Sequence, residues 1–150
     1  MSFSISFVDE PLVYVFDDPT TPAAVGRVVI GEWDERFISS LYQWRKEDYE
    51  AQWLHAIKSL LSGNEKAALI VEYLGAEANH LRWWPMYKVK GAVYLQEQIL
   101  FFDKLKEPFL LERAFSFVGD RKTISEDGQK ISEWIVDLTE IEEFARLTSI

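Results

Sequence analysis

An α+β fold, a mainly antiparallel sheet with one long amphipathic helix packed on a face and a short C-terminal helix, is predicted by three features of this sequence. Runs rich in β-branched and aromatic residues recur along the chain and read as strands. One stretch, Glu47 to Ser62, changes to a helical period. This long helix follows the third strand and a short one closes the chain, an order that sets a helix against one face of the sheet.

The elements follow in order. Residues 3–8 (FSISFV) alternate, with Phe3, Ile5 and Phe7 on one face, and residues 12–16 (LVYVF) continue after Pro11. Proline removes a ladder donor, so this is two strands or one bent strand. Asp17-Asp18-Pro19-Thr20-Thr21-Pro22 is a loop by composition. Ala24 to Ile30 is a third strand, stopped by Gly31, and Glu32 to Phe37, which mixes aromatics with acids, is expected to be extended or irregular. In the helix, Tyr49, Trp53, Ala56, Ile57, Leu60 and Leu61 share one face. Glu47, Asp48 and Glu50 at its start and Lys58 near its end suit the macrodipole, and Gly63-Asn64 supplies the stop. A helix of this length is not stable alone in water, so its stripe must cover a sheet.

The centre of the chain is His80 to Asp103, two strand-like runs joined at Val89-Lys90-Gly91. Its rings (Trp83, Trp84, Tyr87, Tyr94, Phe101, Phe102) bury roughly 150 to 250 Å² each, which makes this hairpin the floor of the core. Strands are placed at 67–73, 82–88 and 92–100, while Phe109 to Val118 fits no single period. Ser125-Glu126-Asp127-Gly128 reads as a hairpin tip, with Lys130 to Val136 as the strand beyond it. Thr139-Glu140-Ile141-Glu142 fits a capping box for the terminal helix, whose inward face holds Ile141, Phe144 and Ala145.

Composition narrows the function classes. A chain of 150 residues, 48% apolar and 15% aromatic, is one globular domain spanning 1–150. It has no cysteine, which removes disulfides, thiolate catalysis and cysteine metal sites and suits a reducing cytoplasm. Asp9 and Glu10 stand where a signal peptide would be basic, and apolar runs such as Ala67 to Val71 are too short to span a bilayer, so a soluble cytoplasmic protein is expected. The net charge of −9 argues against direct binding of nucleic acid, which needs a basic face. Both ends are acidic, −6 over residues 1–35 and −5 over 107–150, whereas 66–106 carries +2.

No chemistry-bearing motif is present: nucleophile elbow, phosphate loop, dinucleotide fingerprint and paired-histidine zinc helix are all absent, and no cofactor or metal is implied. His55 lies beside or opposite the apolar stripe of the helix. His80, placed in a loop before the Trp pair, could serve a small-molecule enzyme with nearby carboxylates; that reading requires a polar pocket beside Trp83. Of Trp83 and Trp84, which point opposite ways on a strand, one belongs to the core and the other could anchor an interface. Acid pairs at Asp17-Asp18, Asp34-Glu35 and Glu126-Asp127 fall in expected loops, where an acidic surface could meet a basic partner. Sequence-adjacent acids are poor candidates for a shared proton, because they face opposite sides of a strand. A structural or adaptor domain that binds an endogenous protein is a further possibility.

Several segments together resemble the immunity proteins of bacterial contact-dependent growth inhibition systems. They are Glu32 to Leu41 with Tyr42-Gln43-Trp44, Tyr49-Glu50-Ala51-Gln52-Trp53, Trp83-Trp84-Pro85-Met86-Tyr87, Val93-Tyr94-Leu95-Gln96 and Gly128-Gln129-Lys130-Ile131-Ser132-Glu133-Trp134. The resemblance spans residues 28–138. It implies a small cytoplasmic protein, not an enzyme, that binds and blocks the C-terminal toxin domain of an incoming effector. Many such toxins are nucleases, basic because they hold phosphates, and an acidic chain complements them. Loop position and charge then make Asp17, Asp18, Asp34, Glu35, Glu126 and Asp127 the candidate toxin contacts, with Trp33 as an anchor.

Overall fold

The computed structural model describes residues 2–14 and 21–148. The α+β class holds, with the strands divided between two antiparallel sheets. In the first sheet, β3 (Pro22–Ile30) has β1 (Phe3–Phe7) and β2 (Val13–Tyr14) along one edge and β4 (Trp33–Ser40) along the other. β1 pairs Phe3 with Ile30 through Phe7 with Gly26, and β2 resumes with Val13 opposite Ala23. The two therefore share one lane, broken around Pro11 with a three-residue shift of register. Charge does not disrupt Glu32 to Phe37: β4 is a regular strand, paired with β3 from Trp33↔Ile30 to Ser40↔Ala23. Gly31, at φ +63°, opens the two-residue turn between them, the conformation glycine adopts without cost. Gly26 has a different role. The Phe37 ring lies across it, 2.2 Å from where a Cβ would stand, and so reaches Trp53 of the helix at 5.9 Å.

The second sheet contains β5 (Lys66–Glu72), β6 (His80–Val89), β7 (Ala92–Leu95), β8 (Gln98–Phe101) and β9 (Trp134–Asp137). β5 lies on one side of β6, and β7 and β8 share the other in a single register, from Ala92↔Val89 to Phe101↔His80. The expected strand 92–100 is thus cut at residues 96–97. The cut falls opposite Pro85, which accepts the Gln96 N–H at 3.1 Å but has no N–H to return. Lys90 (φ +53°) and Gly91 (φ +33°) form the tight β6–β7 turn. Beyond the Ser125 to Gly128 turn, Lys130 makes an isolated bridge to Ile124, and the strand proper starts at Trp134, paired with β7. The expected strand 130–136 is therefore shorter and belongs to the second sheet.

Ala67 to Val71 of β5 and Trp83 to Tyr87 of β6 are buried on both faces. Trp83 and Trp84 are each 1% exposed, so neither is a surface anchor. Trp83 sits beneath Phe109 (6.5 Å), which stacks on Phe102 at 4.8 Å and meets Phe117 at 5.1 Å. The segment of uncertain period supplies this cover, Phe109 directly and Phe117 from the end of a 3-10 stretch, Leu111–Phe117. Trp84 touches Trp134, which in turn meets Trp33, at 5.2 and 5.0 Å. His80 is the first residue of β6, its Nδ1 2.6 Å from Asn79 Oδ1.

The long helix, α1 (Lys46–Leu61), starts where Asp48 accepts the Arg45 N–H at 2.9 Å. It buries Tyr49, Trp53, Ala56, Ile57 and Leu60. Part of this face lies along the outer edge of β5, the side away from β6. The Gln52 amide donates to Ala68 O and accepts from Ile70 N, both at 2.8 Å, and Trp53 Nε1 donates to Ile70 O at 2.7 Å. Tyr49 Oη accepts from Tyr73 N at 3.0 Å and donates to Ser40 O at 2.8 Å, and Ser39 Oγ donates to Val71 O. His55, exposed on the same helix, stacks on Phe115. The terminal helix α2 (Leu138–Thr148) starts one residue before Thr139, so the expected capping box lies inside it; Phe144 packs edge-on against Phe3 at 5.3 Å and Ile141 is buried.

Candidate functional site

A groove of about 800 Å³ opens between β4 and the second sheet. One wall is Glu35, Arg36, Phe37 and Ile38, four consecutive residues, so the strand's edge as well as its faces is open to it. The opposite wall is Glu72 of β5, Arg82 and Trp84 of β6, and Glu97, Gln98, Ile99 and Phe101 around β8. Ile38, Ile99 and Phe101 are 51%, 45% and 44% exposed, a concentration of large apolar side chains that water disfavours. Lys104 stands 5.8 Å from the Phe101 ring.

The charges in the groove are unequally matched. Arg36 is held by Glu10 at 2.5 Å, and Arg82 lies 3.7 Å from Glu72. Glu35 and Glu97 have no cation partner among the described residues. Both line the groove, one on each wall. Burial first, then the hydrogen bond and the like charge of Glu97, push Glu35 up to about 7. Burial also raises Glu72, against the pull of Arg82 and His80.

Backbone groups complete the site. The two-residue turn at Gly31-Glu32 and the Leu41 N–H bonded to Pro22 O (2.9 Å) place residues 33, 35, 37 and 39 in the pairs that bond to β3. The amides and carbonyls of Asp34, Arg36 and Ile38 then point away from the sheet, and no hydrogen bond reaches them from the described residues. Among the described residues β8 has a shorter open edge at residues 97, 99 and 101, because β9 reaches only to Leu95, opposite its first residue Trp134.

Of the residues selected from sequence, Trp33, Asp34 and Glu35 are brought together, but on a strand rather than in a loop. Glu35 enters the groove. Asp34 is taken by Arg27, which donates from Nε at 2.8 Å and from a terminal nitrogen at 2.5 Å and so holds the carboxylate below its ordinary range. Trp33 is 41% exposed yet packed at a tilt against Trp134, and lines a smaller hollow with Lys130 to Trp134. Glu126 and Asp127 are exposed on the turn beyond that hollow. Asp17 and Asp18 lie outside the described residues. Sequence reasoning missed Ile38, Glu97, Ile99 and Phe101. The last two alternate in a strand, a weak signal, whereas the pairing of Glu97 with Glu35 joins residues far apart in sequence and has no local signature.

Among the described residues no three His, Asp or Glu side chains converge as metal ligands, and no helix is long and apolar enough to cross a membrane. Comparison with known proteins gives the groove its context. The model of the CdiI N-terminal domain family matches residues 39–144 of this chain. The chain belongs to that family. Within it, the immunity protein CdiI of Enterobacter cloacae subsp. cloacae is 31% identical over 118 residues, 78% of this chain and 81% of that protein. The CdiA-CT/CdiI toxin and immunity complex from Enterobacter cloacae contains a chain that superposes with a TM-score of 0.85 at 27% identity, over 97% of both chains. The resemblance carried by the Trp83 to Tyr87 and Gly128 to Trp134 segments is that of a CdiI-like immunity protein. The family match starts at Ser39, inside β4; Glu97, Ile99 and Phe101 lie within it and Glu35 and Ile38 just before it.

Proposed function

We propose that this chain protects the cell that makes it by binding the cognate toxin domain of a contact-dependent growth inhibition system in the cytoplasm and covering its working surface, without catalysis of its own. The observation that carries this reading is the similarity over 97% of both chains to a member of a toxin and immunity complex. The toxin is a basic nuclease, which the charge of −9 would attract and orient. The groove beside β4 is the centre of the interface, with Glu35 as an acidic contact and Trp33 at its border. Asp17, Asp18, Glu126 and Asp127 act as outlying acids that speed association, and Asp34 contributes through its ion pair with Arg27.

The test is co-expression with the toxin domain encoded immediately upstream, scoring growth and then co-purification. Rescue with a stable complex supports direct inhibition; toxicity without rescue, with both proteins soluble, overturns it. Charge reversal at Glu126 and Asp127 should slow association at low salt and flatten its salt dependence, and unchanged kinetics would remove that tip from the interface.

A further inference from the structure

We propose that the open edge of β4 is the recognition element itself: an extended segment of the toxin domain pairs with it as an added strand, sets a Lys or Arg between Glu35 and Glu97, and lays apolar side chains on Ile38, Ile99 and Phe101. The proposal rests on the reading of the chain as a toxin-binding immunity protein and specifies how it binds.

Three independent features of the groove converge on such an occupant. Asp34, Arg36 and Ile38 present three outward amides and three outward carbonyls in strand geometry, a template for main-chain pairing. Natural edges of this kind are ordinarily covered or blunted, and this one opens into a cavity of about 800 Å³ rather than into bulk water. The opposite wall offers the exposed apolar side chains of Ile99 and Phe101. A strand's side chains alternate, so one face of the incoming segment would meet Ile99 and Phe101 together with Glu35, and the other would lie beside Ile38, on the opposite face of β4.

Charge selects the chemistry of the segment. Arg36 and Arg82 are engaged by Glu10 and Glu72, so the negative charge left without a cation in the groove belongs to Glu35 and Glu97. Two carboxyl groups on facing walls of one groove form a receptor for a single ammonium or guanidinium, whose charge would favour both as carboxylates. The β4 edge is preferred over that of β8 because β4 has eight residues against four.

The probe is the purified toxin domain encoded immediately upstream, carrying a catalytic inactivating substitution. Hydrogen exchange of the full chain, free and bound, is read amide by amide. Strand addition predicts that the amides of Asp34, Arg36 and Ile38 gain protection on binding, by at least about tenfold, while those of Glu35 and Phe37, already bonded to β3, change little. Unchanged exchange at 34, 36 and 38 in a complex that forms overturns the proposal and leaves the immunity reading intact, as does protection confined to 97, 99 and 101. Absence of any complex overturns both. Substitution supplies a second readout. Arg36→Ala and Arg36→Pro both remove the side chain, but only proline removes the outward N–H, at an edge position that tolerates it. Arg36→Pro should weaken binding by about thirtyfold more than Arg36→Ala, and equal affinities for two folded variants would overturn strand pairing.

Discussion

The outer edge of β5 and the outer edge of β4 pose the same chemical problem, a row of backbone donors and acceptors with no neighbouring strand, and the chain treats them in opposite ways. Along β5, side chains stand in for the missing strand: Gln52 reaches both Ala68 and Ile70, Trp53 takes the Ile70 carbonyl, Tyr49 takes the Tyr73 amide and Ser39 takes the Val71 carbonyl. A buried backbone group without a partner costs about 1 to 3 kcal/mol, and β5 is buried on both faces, so its edge has to be sealed for the fold to stand. Along β4, the outward backbone groups of residues 34, 36 and 38 meet no such cover among the described residues. The stable edge supports the core, and the open edge is available to a partner.

Sealing can be broken most severely at Trp53, which is 2% exposed, packs against Phe7 and Phe37, and holds the Ile70 carbonyl. Trp53→Ala should destabilise the protein by about 3 to 5 kcal/mol, measured by urea unfolding. A loss below about 1 kcal/mol would mean that α1 is not essential to the β5 edge.

Gln52 tests the seal without opening a large cavity. Gln52→Ala strands Ala68 O and Ile70 N at once, and a loss of about 2 kcal/mol is expected in the same experiment. Gln52→Glu keeps the acceptor for Ile70 N but sets a carboxylate against the Ala68 carbonyl, so it should fall below wild type and recover as acid protonates it. Equal stability of all three proteins would show that solvent already reaches this edge.

The two edges also differ in how far the sequence revealed them. The α1 stripe was legible because apolar residues at helical spacing have one physical cause, burial of a face, and all but Leu61 of the six residues are buried. Gln52 interrupts that stripe between Tyr49 and Ala56, a polar residue on an apolar face, but its partners on β5 could not be read without the pairing. β4 was hard to recognise for the reason that makes it an open edge: Asp34, Glu35 and Arg36 are tolerated because part of the strand meets water, and their charge masks the alternation. The break at Gln96-Glu97 depends on Pro85 lying opposite, a cross-strand effect invisible in either run alone. Glu35 faces Glu97 across the groove, whereas its sequence neighbour Asp34 is paired with Arg27.

An open edge should be indifferent to its own side chains when the protein is alone. Ile38, half exposed, can be replaced by Lys with a change in stability within about 0.5 kcal/mol. A cost above about 1 kcal/mol in urea would place Ile38 in the core and contradict the open groove. The same substitution should disrupt toxin binding, because it removes an apolar contact and brings a fixed cation near the site assigned to the partner's own.

The smallest effect concerns Glu35 and requires its sign to be followed. Its folded pKa of about 7 lies above the ordinary 4.5, through burial and then Glu97, so between those values the folded state holds a proton that the unfolded state has released. Stability from this group therefore falls as pH rises from about 4.5 to 7 and is level above. The charged groups around it are Glu97, Arg36 on its own strand, and Glu72 and Arg82 on the opposite wall. Glu72, raised by burial, adds a slope of the same sign. Glu133, held low by Arg121, acts in the opposite direction, and its contribution is lost in more acid solution. Glu35→Gln should thus match wild type near pH 5, exceed it modestly near pH 8, and retain the slope that belongs to Glu72. Thermal midpoints across this range decide the matter: parallel curves for the two proteins would mean that the groove does not hold Glu35 above its ordinary value, and an incoming cation would then have no raised carboxyl group to ionise.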